Sequence, residues 1–271
     1  MDLNKKIKMT LLSNELSILA PVITKDLERI GNKGDGGYVL PLSSVKDADF
    51  LISMGVNTDW SFDEHFLEIN PNIFIHAYDH TISERQFRKN IKKPLFRLLY
   101  GKSSIKEVLS YYSLYRSYKN FFRDKVTHFQ ERIHNRIDHP YDATLDLVME
   151  RAKASSIVLK VDIEGSEYRV IDEILRYSAI ISALVIEFHH TEPYRNLFLD
   201  SISKLKKEYD IVHIHGNNYD FVATDGLPEV LEITFVKSAK NSGFEKRKNF
   251  PIDGLDYPNN PEKDDFKFSF S

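Results

Sequence analysis

The fold class of this chain is decided by the stretch Ile157-Val158-Leu159-Lys160-Val161-Asp162-Ile163-Glu164-Gly165-Ser166-Glu167. An apolar run of strand length is followed by two carboxylates two residues apart and by a glycine that lets the backbone turn away. Alternation along a strand places Lys160, Asp162 and Glu164 on one side. Ligands of open α/β sheets bind at the carboxyl ends of the strands, so these acids are candidates for chemistry. In the alternative interpretation, Asp162 and Glu164 only cap the next helix, whose first turn would hold Glu167.

Strand and helix patterns alternate along the rest of the chain, which predicts an α/β fold with a mostly parallel sheet covered on both faces. The predicted strands are 49–54, 73–78, 95–100, 157–161, 182–188, 210–215 and 230–237. The predicted helices are 61–69, about 104–136, 144–153 and 197–209. The loop between the last two strands is too short for a crossover helix, so these strands should form a C-terminal antiparallel hairpin.

Composition favours one soluble, cytoplasmic domain over residues 1–271. At 271 residues and 42% hydrophobic content, the chain can bury one substantial core. No run approaches the length of a membrane span, and charged and amide residues interrupt the first 24 residues, so no signal peptide is predicted. The chain has no cysteine, which excludes disulfides and thiolate chemistry. A tail from about residue 249, rich in proline and acids, should form an extended strap.

A strongly basic segment contrasts with the net charge of −3. Residues 85–137 hold fourteen Lys or Arg and three acids, an excess of +11, which leaves −14 on the other 218 residues. Ten aromatic residues lie in the same segment. Its mainly helical part, about 104–137, is predicted to be an insert in the domain. The segment is compatible with nucleic acid, an anionic membrane surface or a phosphorylated substrate, and equally with a solvated helix whose aromatic face packs on the core.

The turn after the first predicted strand and the end of the second indicate a nucleoside site. Asp79 ends the second strand, where an acid can accept hydrogen bonds from a ribose diol. The first turn carries a single glycine, Gly55, and no G-x-G-x-x-G pattern, which disfavours a pyrophosphate and therefore NAD. An adenosine ligand without phosphates fits better, and S-adenosylmethionine is the common one.

Several separate sequence blocks carry a resemblance to a known family. They are Gly34-Asp35-Gly36-Gly37-Tyr38-Val39, Leu51-Ile52-Ser53-Met54-Gly55-Val56 with Ser61-Phe62-Asp63, His76-Ala77-Tyr78-Asp79, Leu159 to Glu167, Val185-Ile186-Glu187-Phe188-His189-His190, and Leu255-Asp256-Tyr257-Pro258-Asn259-Asn260-Pro261. Together they span roughly residues 28 to 262, and the arrangement resembles the FkbM-type methyltransferases. The resemblance implies the Rossmann-like, seven-stranded class I methyltransferase fold and transfer of a methyl group from S-adenosylmethionine to a hydroxyl of a sugar or polyketide.

The resemblance also implies roles for individual residues. Gly55 and Asn57 would line the methionine portion of the cofactor, Asp79 would hold the ribose, and Ser103 would lie near the adenine. Asp162 is assigned to the cofactor site as well as to catalysis. The basic segment does not map onto the family core.

The turn ahead of the first strand has two interpretations of equal weight. Asp35-Gly36-Gly37 is either only a tight turn or a loop that closes over the cofactor, so Asp35 and Gly37 are also candidates for the cofactor site.

A second constellation is independent of the resemblance. Three neighbouring strands end in Asp162 and Glu164, in Glu187, His189 and His190, and in His213, His215 and Asn217. Carboxylates with some imidazole suit Mg²⁺ or Mn²⁺. The predicted metal ligands are Asp162, Glu187, His189 and His215, and the predicted catalytic residues are Asp162, His189, His190 and His215. The alternatives are a metal-free histidine base and histidines that are only structural.

The function predicted from these patterns is that of an S-adenosylmethionine-dependent O-methyltransferase. Its acceptor would be a hydroxyl of a sugar that is nucleotide-linked or a precursor of a surface glycan. A nicotinamide-dependent oxidoreductase is disfavoured by the missing glycine pattern. An RNA-directed methyltransferase or nucleic-acid-binding module, using the basic segment, is the remaining alternative. A homo-oligomer is compatible with the sequence.

Overall fold

A seven-stranded sheet forms the centre of the protein in a computed structural model that describes residues 9–238 and 245–271. The first eight residues, part of the N-terminal segment discussed above, lie outside the described residues. In chain order the strands are β1 (Thr10–Leu11), β2 (Leu27–Ile30), β3 (Tyr38–Pro41), β4 (Phe50–Met54), β5 (Phe74–Tyr78), β6 (Val126–Phe129), β7 (Arg132–Ile133), β8 (Asp142–Ala143), β9 (Ile157–Val161), β10 (Ile181–Phe188), β11 (Tyr209–Gly216), β12 (Leu231–Lys237), β13 (Asn249–Phe250) and β14 (Phe268–Ser269).

The strand order of the large sheet is β6-β5-β4-β9-β10-β12-β11. Neighbouring strands are parallel from β6 through to β10, while β12 runs antiparallel to both β10 and β11. The order reverses between β4 and β9, so the carboxyl ends of these two strands flank the switch point at which open α/β sheets bind ligands. The predicted α/β fold, with a mostly parallel seven-stranded sheet and a C-terminal antiparallel hairpin, is confirmed.

Seven helices are described, and most of them cover the sheet. They are α1 (Leu42–Asp47), α2 (Ser61–Ile69), α3 (Glu84–Leu98), α4 (Ile105–Phe121), α5 (Leu145–Ala152), α6 (Ile171–Arg176) and α7 (Arg195–Leu205). None of the helices in the described ranges is long and apolar enough to cross a membrane. The central strand β9 is buried along its whole length, because Leu159 and Val161 pack into one hydrophobic cluster and Val158 into the cluster on the other face. The double coverage explains why this strand is a continuous apolar run.

The prediction of the third strand is wrong. Residues 95–100 belong to the end of α3 and the turn after it, and the strand at that position of the sheet is β6. A short apolar run cannot be assigned to helix or strand from periodicity alone, and β6 is a short edge strand of mixed polarity. The predicted helix over 104–136 is also too long, because α4 ends at Phe121 and β6 and β7 follow. The basic segment therefore consists of a helical hairpin, α3 and α4, followed by two short strands.

The C-terminal tail is tied to the rest of the chain at both ends of its course. Strand β14 pairs antiparallel with β13 and parallel with β1, which makes a small three-stranded sheet. Between β13 and β14, the Asp256 carboxylate lies 2.9 Å from the Nε2 atom of His213, and Asp265 lies 3.1 Å from the Nε2 atom of His215. The tail therefore covers part of β11 at the same edge of the sheet as the predicted site.

Candidate functional site

A pocket of about 600 Å³ opens at the carboxyl ends of the central strands. Seven of the residues that line it are acidic, and the only basic ones among them are Lys160 and His189. The acids are Asp35, Asp59, Asp79, Asp162, Glu164, Glu187 and Asp220. Such a lining creates a negative potential that attracts cations and repels phosphates.

The loop after β4 is shaped by contacts with the two neighbouring strands. Gly55 has a φ of +76°, and a Cβ atom there would lie 1.6 Å from the carbonyl oxygen of Asp162, so only glycine fits. The ammonium of Lys160, which is almost fully buried, donates to the carbonyl oxygen of Gly55 over 2.7 Å. These contacts hold the ends of β4 and β9 against each other at one wall of the pocket.

Asp79 fastens the same loop from the end of β5. One carboxylate oxygen accepts from the backbone N–H groups of Val56 and Asn57, at 3.1 and 2.7 Å, and the other accepts from the N–H and hydroxyl of Thr81. Burial raises the pKa of Asp79, but these hydrogen bonds outweigh burial and lower it overall. Asp79 is therefore an ionised, well-ordered acid that lines the pocket and also builds the loop beside it.

The turn after β9 is organised by Glu167, whose side chain is completely buried. Its Oε1 atom accepts from the backbone N–H groups of Ile163 and Gly165, at 3.1 and 3.0 Å, and lies 3.0 Å from the Nδ1 atom of His189. Glu164 adopts a φ of +55° in this turn. The chain thus leaves the strand at Asp162, and the turn, rather than strand alternation, brings Glu164 to the pocket.

Three side chains around this turn form a group that can hold a metal ion. Asp162, Glu164 and His189 offer ligand atoms that all lie within 4.8 Å of one another. The Nε2 atom of His189 lies 3.6 Å from Glu164, while its Nδ1 atom contacts Glu167. A histidine that binds a metal through one nitrogen usually has the other hydrogen-bonded to a carboxylate, as here.

The surroundings of His189 strongly favour its protonated form. Burial lowers the pKa of His189, but the hydrogen bond and charge of Glu167 and the charges of Glu187 and Asp162 outweigh this effect and raise the pKa to about 9. Without a bound cation, His189 is therefore an imidazolium at neutral pH and has no free lone pair with which to act as a base.

Glu187 lines the pocket but lies outside the metal-capable group. Its Oε1 atom accepts from the side-chain amide of Asn217 over 2.9 Å, and its Oε2 atom lies 3.0 Å from the hydroxyl of Tyr38. Burial, with the charges of Asp162 and Glu232, raises the pKa of Glu187 well above its usual range. The Tyr38 hydroxyl also lies 3.2 Å from Asp162. The Tyr38 hydroxyl can donate to either Glu187 or Asp162, and Glu187 is not one of the three residues of the metal-capable group.

Two other predicted histidines, His215 and His190, are not among the residues that line the pocket. The ring of His215 is fully buried, and its two nitrogens lie 3.2 Å from Glu232 and 3.1 Å from Asp265, so no nitrogen is left for a metal or a substrate. Burial lowers its pKa, but these two partners raise it to about 10. His190 adopts a φ of +58°, and its ring packs against Gly165 outside the pocket lining.

The predictions for the cofactor residues divide in the same way. Asp35, Gly55 and Asn57 line the pocket. Gly37 does not line the pocket. Its turn requires a glycine, because a Cβ atom at this position would lie 2.0 Å from the carbonyl oxygen of Asn32. Ser103 is also outside the lining. It lies between α3 and α4 rather than after the third strand, and its hydroxyl donates to Glu107.

Glu167 was missed as a functional residue by the sequence analysis, and so were the contacts of Glu187 with Tyr38 and Asn217. Both residues are distant from Glu187 in sequence, and nothing local marks these contacts. Glu167 had been assigned only to a helical turn. The signal that could have identified Glu167 is that it is the third acid within six residues, after Asp162 and Glu164.

The sequence matches no known family model, and no curated protein matches it. Among solved structures, the Methanococcus jannaschii fibrillarin pre-rRNA processing protein has a TM-score of 0.40 at 12% identity, over 81% of this chain and 88% of that one. Precorrin-6y C5,15-methyltransferase from Geobacter metallireducens has a TM-score of 0.36 at 12% identity, over 73% of this chain and 86% of that one. A candidate tRNA (m1A22) methyltransferase from Streptococcus pneumoniae, in complex with S-adenosyl-L-methionine, has a TM-score of 0.36 at 14% identity, over 74% of this chain and 72% of that one. These likenesses concern the fold alone.

Proposed function

We propose that the protein is an S-adenosylmethionine-dependent O-methyltransferase. The observation that carries the proposal is the acidic pocket at the switch point of the sheet, with seven carboxyl groups and one lysine. S-adenosylmethionine carries a sulfonium and an ammonium, which an acidic site attracts, whereas the pyrophosphate of a dinucleotide would be repelled. S-adenosylmethionine supplies an electrophilic methyl group to the reaction.

The chain offers a bed for this ligand along the ends of β4 and β5. Gly55 and Asn57 would line its methionine portion, and the carboxylate of Asp79 would face the ribose diol. Since that carboxylate already accepts four hydrogen bonds within the chain, a ribose hydroxyl would share or displace one of them. Asp79 would thus act through both the shape of the loop and its own charge.

A divalent cation such as Mg²⁺ or Mn²⁺ fits the group formed by Asp162, Glu164 and His189. Two carboxylates and one imidazole are a donor set for such ions, and Glu167 orients the imidazole from behind. A bound cation would lower the pKa of an acceptor hydroxyl. The raised pKa of His189 disfavours a histidine base, because an imidazolium cannot accept the hydroxyl proton. A bound cation would have to displace the same proton before the imidazole could act as its ligand.

We propose a sugar as the acceptor, in line with the resemblance to the FkbM-type methyltransferases. The pocket lining also includes Asn217, Tyr219 and Asp220, of which Tyr219 is about half exposed. Amide and carboxylate groups can pair the several hydroxyls of a polyol, and each buried hydroxyl left unpaired would cost about 1–3 kcal/mol. An exposed tyrosine ring offers an apolar face for a sugar ring.

A nucleic-acid acceptor is disfavoured by the same lining. Every nucleotide of a nucleic acid carries a phosphate, and a base that entered this pocket would bring the neighbouring phosphates toward the seven carboxyl groups. The basic residues of the segment 85–137 do not line the pocket. We propose that this segment recognises an anionic handle of the acceptor, such as the phosphates of a nucleotide-linked sugar, which the acidic lining would keep outside the pocket.

Calorimetric titration with S-adenosylmethionine tests the cofactor. We expect binding by the wild type and at least about tenfold weaker binding by Asp79→Asn, by analogy with the loss of a charge-assisted hydrogen bond. Asp49→Asn is the matched control, because Asp49 likewise accepts backbone and hydroxyl hydrogen bonds, from Ser155 and Ser156, away from the pocket. Absence of binding by the wild type would overturn the assignment of the cofactor.

Mass spectrometry tests the reaction and its acceptor. Nucleotide-linked hexoses and heptoses are incubated with the enzyme and a cofactor labelled in its methyl group. A gain of one labelled methyl on the sugar fragment supports the proposal. Methylation confined to a base, an amine or a carboxylate would refute it, and an active RNA substrate would establish the alternative.

A further inference from the structure

The hairpin of α3 and α4 projects from the body of the protein. Its base is anchored by aromatic packing, in which Trp60 of the core contacts Phe87 of α3 and Tyr118 of α4. At about 1.5 Å per helical residue, the end of α3 lies roughly 16 Å beyond Phe87. We call residues 92–112, which comprise the end of α3, the connecting turn and the start of α4, the hairpin tip.

The hairpin tip exposes an unusual amount of apolar surface. Of the nineteen large hydrophobic residues that are exposed within the described ranges, eight lie between positions 95 and 112. They are Leu95, Phe96, Leu99, Tyr100, Ile105, Leu109, Tyr111 and Tyr112. Leu99 is 78% exposed and Ile105 66% exposed, at the ends of the helices nearest the turn. Contiguous exposed apolar residues on a soluble protein mark an interaction surface.

The hairpin tip is basic, with five Lys or Arg residues and one acid, Glu107. Residues 92–106 contain five basic residues and no acid. They are Lys92, Lys93, Arg97, Lys102 and Lys106. Aliphatic and aromatic side chains at the level of a ring of lysines and arginines are the pattern of segments that lie in the interface of an anionic bilayer.

We propose that the hairpin tip docks on an anionic lipid surface, with its leucines and isoleucine among the acyl chains and its basic residues among the headgroups. A bilayer requires no complementary shape of the surface that docks on it. The most exposed of its hydrophobic residues, Leu99, is aliphatic, as are Ile105 and Leu109, and aliphatic side chains cannot stack on nucleic-acid bases as aromatic side chains do. Two hairpin tips facing each other would oppose two surfaces of net charge +4, from five basic residues and Glu107 in each, which disfavours a symmetric dimer.

Docking would hold the pocket close to the membrane. Thr81 lines the pocket, and α3 begins three residues later at Glu84. The hairpin would therefore act as a short rigid spacer between the lipid surface and the site, a position suited to an acceptor carried on a lipid. Docking does not rest on the proposed methyltransferase activity, since it is measured without cofactor or acceptor.

Sedimentation of the full chain with vesicles tests the proposal. We expect binding to vesicles of equal parts phosphatidylcholine and phosphatidylglycerol, much weaker binding to phosphatidylcholine alone, and a loss of binding as salt is raised. The variant Leu99→Ser/Leu109→Ser should partition at least about tenfold less, because two apolar anchors are lost. Leu197→Ser is the matched control, since Leu197 is 44% exposed on the surface of α7, and should bind like the wild type. Circular dichroism confirms that the variants fold.

Insertion is measured by fluorescence quenching with brominated lipids. The sole tryptophan, Trp60, is 4% exposed, so the wild type should be quenched little, while Tyr100→Trp should be quenched strongly. The proposal is overturned by no binding to anionic vesicles, by equal binding of the double variant, or by an unquenched Tyr100→Trp. It is also overturned if Leu99→Ser/Leu109→Ser loses binding to RNA rather than to vesicles, or if it turns a wild-type dimer into a monomer.

Discussion

Glu167 shows how one buried carboxylate can determine the chemistry of a site without reaching the pocket. Its Oε1 atom fixes the turn that carries Asp162 and Glu164 and also contacts the Nδ1 atom of His189. Its Oε2 atom is buried without a hydrogen-bond partner, so the negative charge is directed at the imidazole. Glu167 is thus a positioning residue, and its charge is a principal reason that the imidazolium is favoured.

Replacing Glu167 by glutamine should lower the pKa of His189 from about 9 toward its ordinary value of 6.5, because the acceptor is kept but the charge is lost. NMR titration of the ring measures this shift. Glu173→Gln is the control, since Glu173 is partly buried but is not among the groups that perturb His189. An unchanged titration in Glu167→Gln would mean that the charges of Glu187 and Asp162 are sufficient.

The metal-capable group gives a second prediction for a single residue. Glu164 has an 85% exposed side chain, so Glu164→Gln should fold normally. We expect Glu164→Gln to weaken binding of Mn²⁺ by at least about tenfold, because even changes to residues that only hydrogen-bond a metal ligand have an effect of this size. The affinity for S-adenosylmethionine should change little.

Isothermal titration with Mn²⁺ decides this point, with Asp220→Asn as the control because Asp220 lines the pocket outside the group. If both variants weakened Mn²⁺ binding equally, the ion would be held only by the general negative potential. If the wild type bound no Mn²⁺, the group would be an acidic site for the cationic cofactor alone.

At the scale of elements, the sequence predicted best where burial is complete. Strand β9 was identified because both of its faces are buried and its residues form an unbroken apolar run. The third strand was missed because β6 lies at the sheet edge with a mixed pattern, while the more apolar run 95–100 serves an exposed helical hairpin. Apolarity in that run reflects a surface rather than a core, and a single sequence does not distinguish the two.

The sequence predicted which strand ends form the candidate site, but not the contacts that depend on residues distant in the chain. Parallel strands end at one edge, so the convergence of Asp162, Glu187 and His189 on one pocket followed from the strand order. The burial of His215 could not be foreseen, because its partner Asp265 comes from the tail fifty residues further along the chain. Similarly, the turn that carries Glu164 depends on backbone contacts to Glu167 rather than on residue type.

The tail and β11 make a prediction about pH. The pKa of His215 is about 10 in the folded protein and 6.5 ordinarily, so folding binds this proton more tightly. Its stabilising contribution is therefore complete below about pH 6.5 and is lost as the pH rises toward about 10. The thermal midpoint of the wild type should fall across this range by several degrees.

The variant His215→Gln isolates this contribution. It should be less stable than the wild type at pH 6.5, and the difference between the two thermal midpoints should shrink as the pH is raised to 10, because the lost group no longer carries a charge there. Circular dichroism melts at intervals of pH give both curves. Parallel curves would show that the His215 ring stabilises the tail by packing rather than through its charge.

At the scale of the whole molecule, charge is separated between two parts with different tasks. The segment 85–137 carries an excess of +11, and the rest of the chain carries −14, including the seven carboxyl groups of the pocket. The body is thereby suited to a cationic cofactor and a divalent ion, while the hairpin is suited to an anionic surface. A single fold can carry both charge distributions, since the hairpin is inserted between β5 and β6 and leaves the sheet order intact.

The close contact between the ends of β4 and β9 is the feature on which the sheet and the pocket both depend, and two glycines allow it to be tested. Gly55 and Gly101 both have positive φ, +76° and +64°. A Cβ atom at Gly55 would overlap the carbonyl oxygen of Asp162, whereas one at Gly101 would meet nothing within 4 Å. Gly101→Ala should therefore cost only the backbone strain, about 1–2 kcal/mol.

Gly55→Ala should cost the same backbone strain and should also force the ends of β4 and β9 apart. We therefore expect it to lower the free energy of unfolding by more than about 4 kcal/mol, as other severe changes in packing do. Urea denaturation of the two variants measures the difference, and calorimetry should show that Gly101→Ala still binds S-adenosylmethionine while Gly55→Ala does not. Equal destabilisation would mean that the strand ends can move apart at little cost. In that case the pocket would be held together by Asp79 and Lys160 rather than by the direct contact of the two strands.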